Sequence, residues 1–316
     1  MAKQPSPAKA IAIGKALARA TLERRSKAIA RRQSVLAKAK LTAAPALTAA
    51  AAPAGALAAA PLTHASRGVL IAEGDSWFDY PLHDVLSDLE DSYGYDVESV
   101  AHLGDTVEDM AYSGGQLDAF SRRVEKVLRT GVEPRAILLS GGGNDVAGNE
   151  FAILLNHAAS SIAGLNESIV SGVVDQRVRD AYLTILSAIT EVCKGHLGHA
   201  VRIVVHGYDY PVPDGRGFLG GWGPLPGPWL QPGLRAKGYA DLARGKQLCA
   251  TLIDRFNTML AGIAGKAPFQ HVAFVDLRKT LSTGSDYKSW WANELHPTPK
   301  GFDAVTKKFA ATIAAA

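Results

Sequence analysis

The chain has 316 residues, 47% hydrophobic and 20% charged, with a net charge of +4. This composition excludes a disordered or fibrous protein and leaves ample material for a core. Two cysteines, Cys193 and Cys249, show no metal-ligand spacing and build no disulfide framework, so they read as small buried apolar residues.

The charge is unevenly placed. Residues 1–40 hold eleven Lys/Arg and one acid, Glu23, so this stretch carries +10 and the remainder −6. Residues 7–40 are rich in Ala, Lys, Arg and Leu, which favour helix. Residues 41–63 are dominated by Ala, Pro, Leu and Thr, with Pro45, Pro53 and Pro61 breaking any long helix. We expect a disordered or helical basic tail and linker over 1–63 and one globular domain over 64–316. The tail suits an anionic surface or nucleic acid as partner, or is simply solvated. Nothing in the linker is apolar enough to span a membrane. The basic stretch is far longer than the charged region of a usual signal peptide, so the expected location is cytoplasmic; export through an atypical signal is the alternative.

From Gly68 onward apolar strand-like runs alternate with helical patterns. Strands are expected at 68–73, 95–102, 135–140, 201–206 and 271–276, and helices near 82–92, 115–130, 172–196, 237–263 and 299–313. Within 172–196, Val174, Val178, Ala181, Tyr182, Ile185, Ala188 and Ile189 recur at helical spacing. Continuous apolar strands alternating with helices imply a parallel sheet of about five strands covered on both faces, an α/β/α sandwich. In such sheets ligands sit at the carboxyl ends of the strands. Residues 207–235 break the pattern. They are rich in Gly and Pro, predict no regular element, and carry Tyr208, Tyr210, Phe218, Trp222 and Trp229. Such a loop either packs its aromatics on the body or walls a cleft.

Four segments carry chemistry. Gly74-Asp75-Ser76-Trp77 follows the first strand, where a turn can expose a serine hydroxyl together with its N–H. His102-Leu103-Gly104-Asp105-Thr106 follows the second, and Gly142-Gly143-Asn144-Asp145 the third. Asn293-Glu294-Leu295-His296-Pro297 precedes the last helix. In this order the segments resemble the four blocks of the GDSL/SGNH hydrolases, over roughly residues 68–312.

The resemblance implies a three-layer, flavodoxin-like fold and a serine carboxylester hydrolase that needs no cofactor and no metal. Ser76 would be the nucleophile and His296 the base. Ser76 N–H, Gly104 N–H and the Asn144 amide would form the oxyanion hole. Trp77, Trp222 and Trp229 are candidate substrate contacts. Asp75 and Asp145 read as local hydrogen-bonding residues. The chain departs from the family three residues before His296, where Asn293 stands in place of Asp. Asn293 or a backbone carbonyl then orients the imidazole, or another carboxylate does so, Glu294 first and Asp286 more remotely. An acyltransferase on the same residues stays open. So does a weakly active descendant that works through its basic tail.

Overall fold

The computed structural model describes residues 7–16, 18–19, 22–23, 27, 30, 66–81, 83–220 and 225–315. The linker over 41–63 and Trp222 lie outside the described residues. All five expected strands form: β1 Val69–Glu73, β2 Asp96–Ser99, β3 Ala136–Leu139, β6 Ile203–His206 and β7 Val272–Val275. They pair in parallel in the order β2-β1-β3-β6-β7, with Ile71 opposite Glu98 and Ile137, and Val205 opposite Leu139 and Phe274. The inner strands are buried at nearly every residue, whereas the edge strand β2 is partly exposed. That is why the inner strands read as unbroken apolar runs. Two-residue strands β4 (Leu155–Asn156) and β5 (Gly164–Leu165) form a small antiparallel pair that the sequence did not signal.

The helices are α1 Val85–Asp91, α2 Val107–Tyr112, α3 Gln116–Leu128, α4 Glu167–Gly172, α5 Arg179–Leu197, α6 Gln231–Ala236, α7 Leu242–Ile263 and α8 Pro299–Ala314. The chain steps one way from β1 to β2 and the other way from β2 through β3, β6 and β7. Right-handed crossovers therefore place α1 on one face and α2, α3, α5 and α7 on the other. The contacts agree: α1 packs on α8, and α2, α3 and α5 pack together. The direction reverses between β1 and β3, so the ligand crevice of this topology opens beyond those two strands. Ser76 and Asn144 follow them.

Three expectations need correction. The helix expected at 172–196 starts earlier, at Glu167, and carries a π-helical turn at Val173–Val178 between α4 and α5. The helix expected from 237 starts at Leu242, where the Asp241 side chain accepts the Arg244 N–H and caps it. The 207–235 segment does contribute a regular element, because α6 begins inside it. Pro232 falls in the first turn of α6, where a missing N–H costs no helical bond.

The N-terminal residues bear on the tail. Residues 7–16 are helical, with Ala10 and Ala18 buried. Gly14 lies so close to the Thr184 carbonyl on α5 that no side chain fits there, and Thr184 Oγ1 reaches the Ala10 carbonyl. Leu22 approaches Gly195 at the far end of α5. Small residues at four-residue spacing thus let this helix lie along α5, with Lys9, Arg19 and Lys27 turned to solvent. Removal of residues 1–60 is expected to lower Tm by roughly 3–6 °C, as for a loss of ~1.5 kcal/mol at about 2–4 °C per kcal/mol. Turnover of a small soluble ester should stay within about twofold. Thermal melts and initial rates on the truncated protein check both, and a collapse of turnover would make the helix integral to the site.

Candidate active site

The first turn is built around Asp75. Gly74 ends β1 where a Cβ would meet Ser140 Cβ at 2.7 Å, so only glycine brings the strand ends this close. Asp75 is 1% exposed. Its Oδ1 accepts the Trp77 N–H at 3.0 Å and the Ser140 hydroxyl at 2.7 Å, and its Oδ2 accepts the Tyr208 hydroxyl. The Phe78 N–H donates to the Asp75 carbonyl and closes the turn. Ser140 Oγ also lies 2.7 Å from His206 Nε2, which ties β1, β3 and β6 together beneath Ser76. Asp75 has the local role expected of it, although two of its partners come from other strands.

His296 sits on a tight loop held by the Trp291–Pro297 bridge. Asn293 Oδ1 accepts three N–H groups: Leu295 N at 2.9 Å, His296 N at 2.9 Å and His296 Nδ1 at 3.0 Å. Only an oxygen can collect three donors, so the orientation of the amide is fixed. The Nδ2 donates to the Tyr80 hydroxyl at 3.0 Å. With its proton on Nδ1, the imidazole turns the Nε2 lone pair toward Ser76 Oγ, 2.7 Å away. Tyr80 stacks on the imidazole with centroids 4.3 Å apart, and Trp229 meets it edge-on at 5.7 Å. Burial lowers the His296 pKa to about 3.

Gly104 and Asn144 belong to loops that are stitched together. Asn144 Nδ2 donates one hydrogen to the Asp105 carbonyl at 2.9 Å, leaving its second for a ligand. Asp145 accepts Val107 N–H at 2.9 Å and Glu108 N–H at 3.4 Å, capping α2 and holding the Asn144 loop against the Gly104 loop. Gly104 is exposed with φ +93°. An added Cβ would meet nothing within 4 Å, so the backbone angle, rather than crowding, demands glycine. Ser76, Asn144 and His296 line one cavity, together with Trp77 and Tyr208.

The alternative carboxylates have other duties. Both Glu294 oxygens face away from the imidazole onto the 207–235 loop: Oε1 accepts Gly215 and Gln231 N–H, and Oε2 accepts Trp229 and Leu230 N–H, at 2.7–3.1 Å. Burial raises its pKa against these four bonds, which lower it. Glu294 is therefore a loop anchor and not the group behind His296. Asp286 is exposed and bonds Ser282 and Trp290. Of the tryptophans, Trp77 is 3% exposed and donates to the Leu295 carbonyl, bracing the histidine loop from the cavity wall. Trp229 is half-buried beside His296. Sequence reasoning missed Tyr80, which has no spacing signal, and the anchoring by Tyr208, which it noted only as a loop aromatic. Between α1 and α8, His83, Asp88 and Asp303 bring possible ligand atoms within 4.8 Å of one another. This group is outside the four catalytic segments.

A family model of the GDSL-like lipase/acylhydrolases matches residues 71–304. Among solved structures, a carbohydrate esterase family 3 protein from Talaromyces cellulolyticus is 13% identical, with TM-score 0.41, covering 78% of this chain and 97% of its own. A catalytic mutant of an acetylxylan esterase from Geobacillus stearothermophilus is 16% identical, with TM-score 0.41, covering 78% and 94%. The catalytic domain of peptidoglycan O-acetyltransferase A from Streptococcus pneumoniae is 11% identical, with TM-score 0.37, covering 79% and 94%. No curated protein matches the sequence. No helix among the described residues is long and apolar enough to cross a membrane.

Two experiments follow from this geometry. In the expected role of base His296 must be neutral to work, and burial lowers its pKa to about 3, so the acid limb of kcat/KM should lie below pH 5 instead of near 6.5. Asn293→Asp places a negative charge on Nδ1–H, favours the imidazolium and should move that limb up by more than one pH unit. A wild-type limb at pH 6–7 would contradict this. Glu294→Gln turns an NH2 against backbone donors. It should lower Tm and raise KM, at a cost of about 2–3 kcal/mol, while leaving the acid limb where it was. A shifted limb would show Glu294 acting electrically on His296.

Proposed function

The chain belongs to the GDSL-like lipase/acylhydrolase family, and from that membership and the geometry at Ser76 we propose that it is a serine carboxylester hydrolase working through an acyl-serine intermediate. The observation that carries the reading is the 2.7 Å contact from Ser76 Oγ to His296 Nε2, with Nδ1 held on Asn293 Oδ1 at 3.0 Å.

Ser76 Oγ attacks the ester carbonyl carbon as its proton passes to Nε2. The carbonyl oxygen gains negative charge and is met by Ser76 N–H, Gly104 N–H and Asn144 Nδ2. Collapse breaks the bond to the alkoxy oxygen, which leaves as alcohol with the proton from His296. Water then gives a proton to Nε2 and attacks the acyl carbon, and the acid departs as Ser76 regains its proton. Asn293 orients the imidazole without charge. The outward Lys9 and Arg19 keep the basic character of the N-terminal helix available to an anionic surface, while Lys27 pairs with Glu23.

Ser76→Ala should reduce turnover by at least about a thousandfold and abolish labelling by a fluorophosphonate, which should otherwise modify Ser76 alone. Asn144→Ala should cost about 100- to 1,000-fold in kcat with labelling slowed rather than lost. Peptide mapping of the labelled protein decides it: modification at another serine, or full activity in Ser76→Ala, would refute the assignment.

A further inference from the structure

The cavity at Ser76 has a polar mouth and an apolar interior. Behind Ser76, Asn144 and His296 stand Phe151, Val174, Leu230, Cys249, Leu252 and Phe256, each under 5% exposed. They come from the turn after β3, the π-helical turn before α5, the 207–235 loop and α7. The Trp291 indole N–H in the wall has no partner, but the carboxylates there are already engaged. Asp75 is bonded by Trp77, Ser140 and Tyr208. Asp209 accepts the N–H groups of Tyr210, Lys279, Thr280 and Leu281. Burial keeps the Cys249 thiol un-ionised. No free hydrogen-bonding set is left there for a sugar ring.

The cavity offers about 60 Å³ to the centres of water-sized groups, room for roughly four to six of them at ~10–15 Å³ each. An acetyl methyl fills one. The portion of an ester that stays on Ser76 through the acyl-enzyme can lie in an apolar recess, whereas a leaving alcohol has to reach solvent. We propose that the protein acts on esters of linear aliphatic acids of about five to seven carbons, with the alkyl chain lying between α7 and the turn at Val173–Val178. This rests on the serine-hydrolase reading above.

The test is kcat/KM over p-nitrophenyl acetate, butyrate, hexanoate, octanoate and decanoate, beside a series of alkyl acetates. The rate should rise by up to about fourfold per methylene from acetate toward hexanoate and fall by decanoate. Leu252→Phe should lower the hexanoate-to-acetate ratio at least tenfold. Phe151→Leu, which enlarges the cavity, should raise octanoate over hexanoate and serves if Leu252→Phe does not fold. A wild-type preference for acetate, or length dependence in the alcohol part instead of the acyl part, overturns the proposal. If no ester is hydrolysed and Ser76 is not labelled, the hydrolase reading falls. Calorimetry with hexanoate and acetate on the Ser76→Ala protein then judges the pocket alone: hexanoate tighter by at least tenfold upholds it, and equal binding refutes it.

Discussion

One oxygen atom organises this site. Asn293 Oδ1 gathers the Leu295 N–H, the His296 N–H and the His296 Nδ1–H. Two of these bonds shape the loop, and the third sets the tautomer of the ring the loop carries. Ser76 Oγ faces a lone pair only because Nδ1 holds the proton. Turning the amide around would set an NH2 against three donors, and Tyr80 opposes that turn by accepting the Nδ2 hydrogen while stacking on the imidazole. Loop geometry and base chemistry are thus decided by the same side chain.

Glu294, the first carboxylate considered behind His296, is spent on the scaffold, as are other buried carboxyl groups around the site. Glu294, Asp209 and Asp145 each accept backbone N–H groups from segments distant in sequence, and Asp75 accepts the distant hydroxyls of Ser140 and Tyr208. Carboxyl oxygens accept these donors at hydrogen-bond distance, and here they hold irregular loops that have no ladder of their own. Glu294 fixes the 207–235 loop, Asp209 fixes the approach to residues 279–281, Asp75 fixes the turn at Ser76, and Asp145 joins the loops of Gly104 and Asn144. Ser76, Asn144 and His296 are held in place because the loops bearing them are pinned by carboxyl groups at their bases.

The fold was legible because a buried parallel sheet writes itself as apolar runs. β3 and β6 are buried throughout, and the sequence showed them with boundaries off by a residue or two. The four segments bearing Ser76, Gly104, Asn144 and His296 were legible by motif, and Ser76, Asn144 and His296 meet in one cavity. Short helices were not. α2, α4 and α6 have six residues each, too few to show a period, and depend on caps such as Thr106 and Asn166. Nor could the sequence assign Glu294, whose partners lie more than sixty positions away. It sits beside a catalytic loop, has the right charge, and points the other way. Which way a side chain points is settled by tertiary packing, and adjacency in sequence says nothing of it.

A neutral residue behind the histidine raises a question of energy. Burial that takes the His296 pKa from 6.5 to about 3 disfavours the imidazolium by about 5 kcal/mol. A carboxylate on Nδ1 would relieve this at every stage of turnover. Asn293 relieves none of it, yet the imidazolium is needed only while the carbonyl oxygen is itself negative. The two charges arise together on either side of Ser76 Oγ and vanish together, in surroundings of low dielectric where their attraction is strong. In the proposed mechanism the transition state therefore brings its own counter-charge, and the resting protein holds His296 uncharged and unprotonated on Nε2. On this view the orientation of the ring is what the residue behind it must supply, and an amide oxygen bound by three donors supplies it.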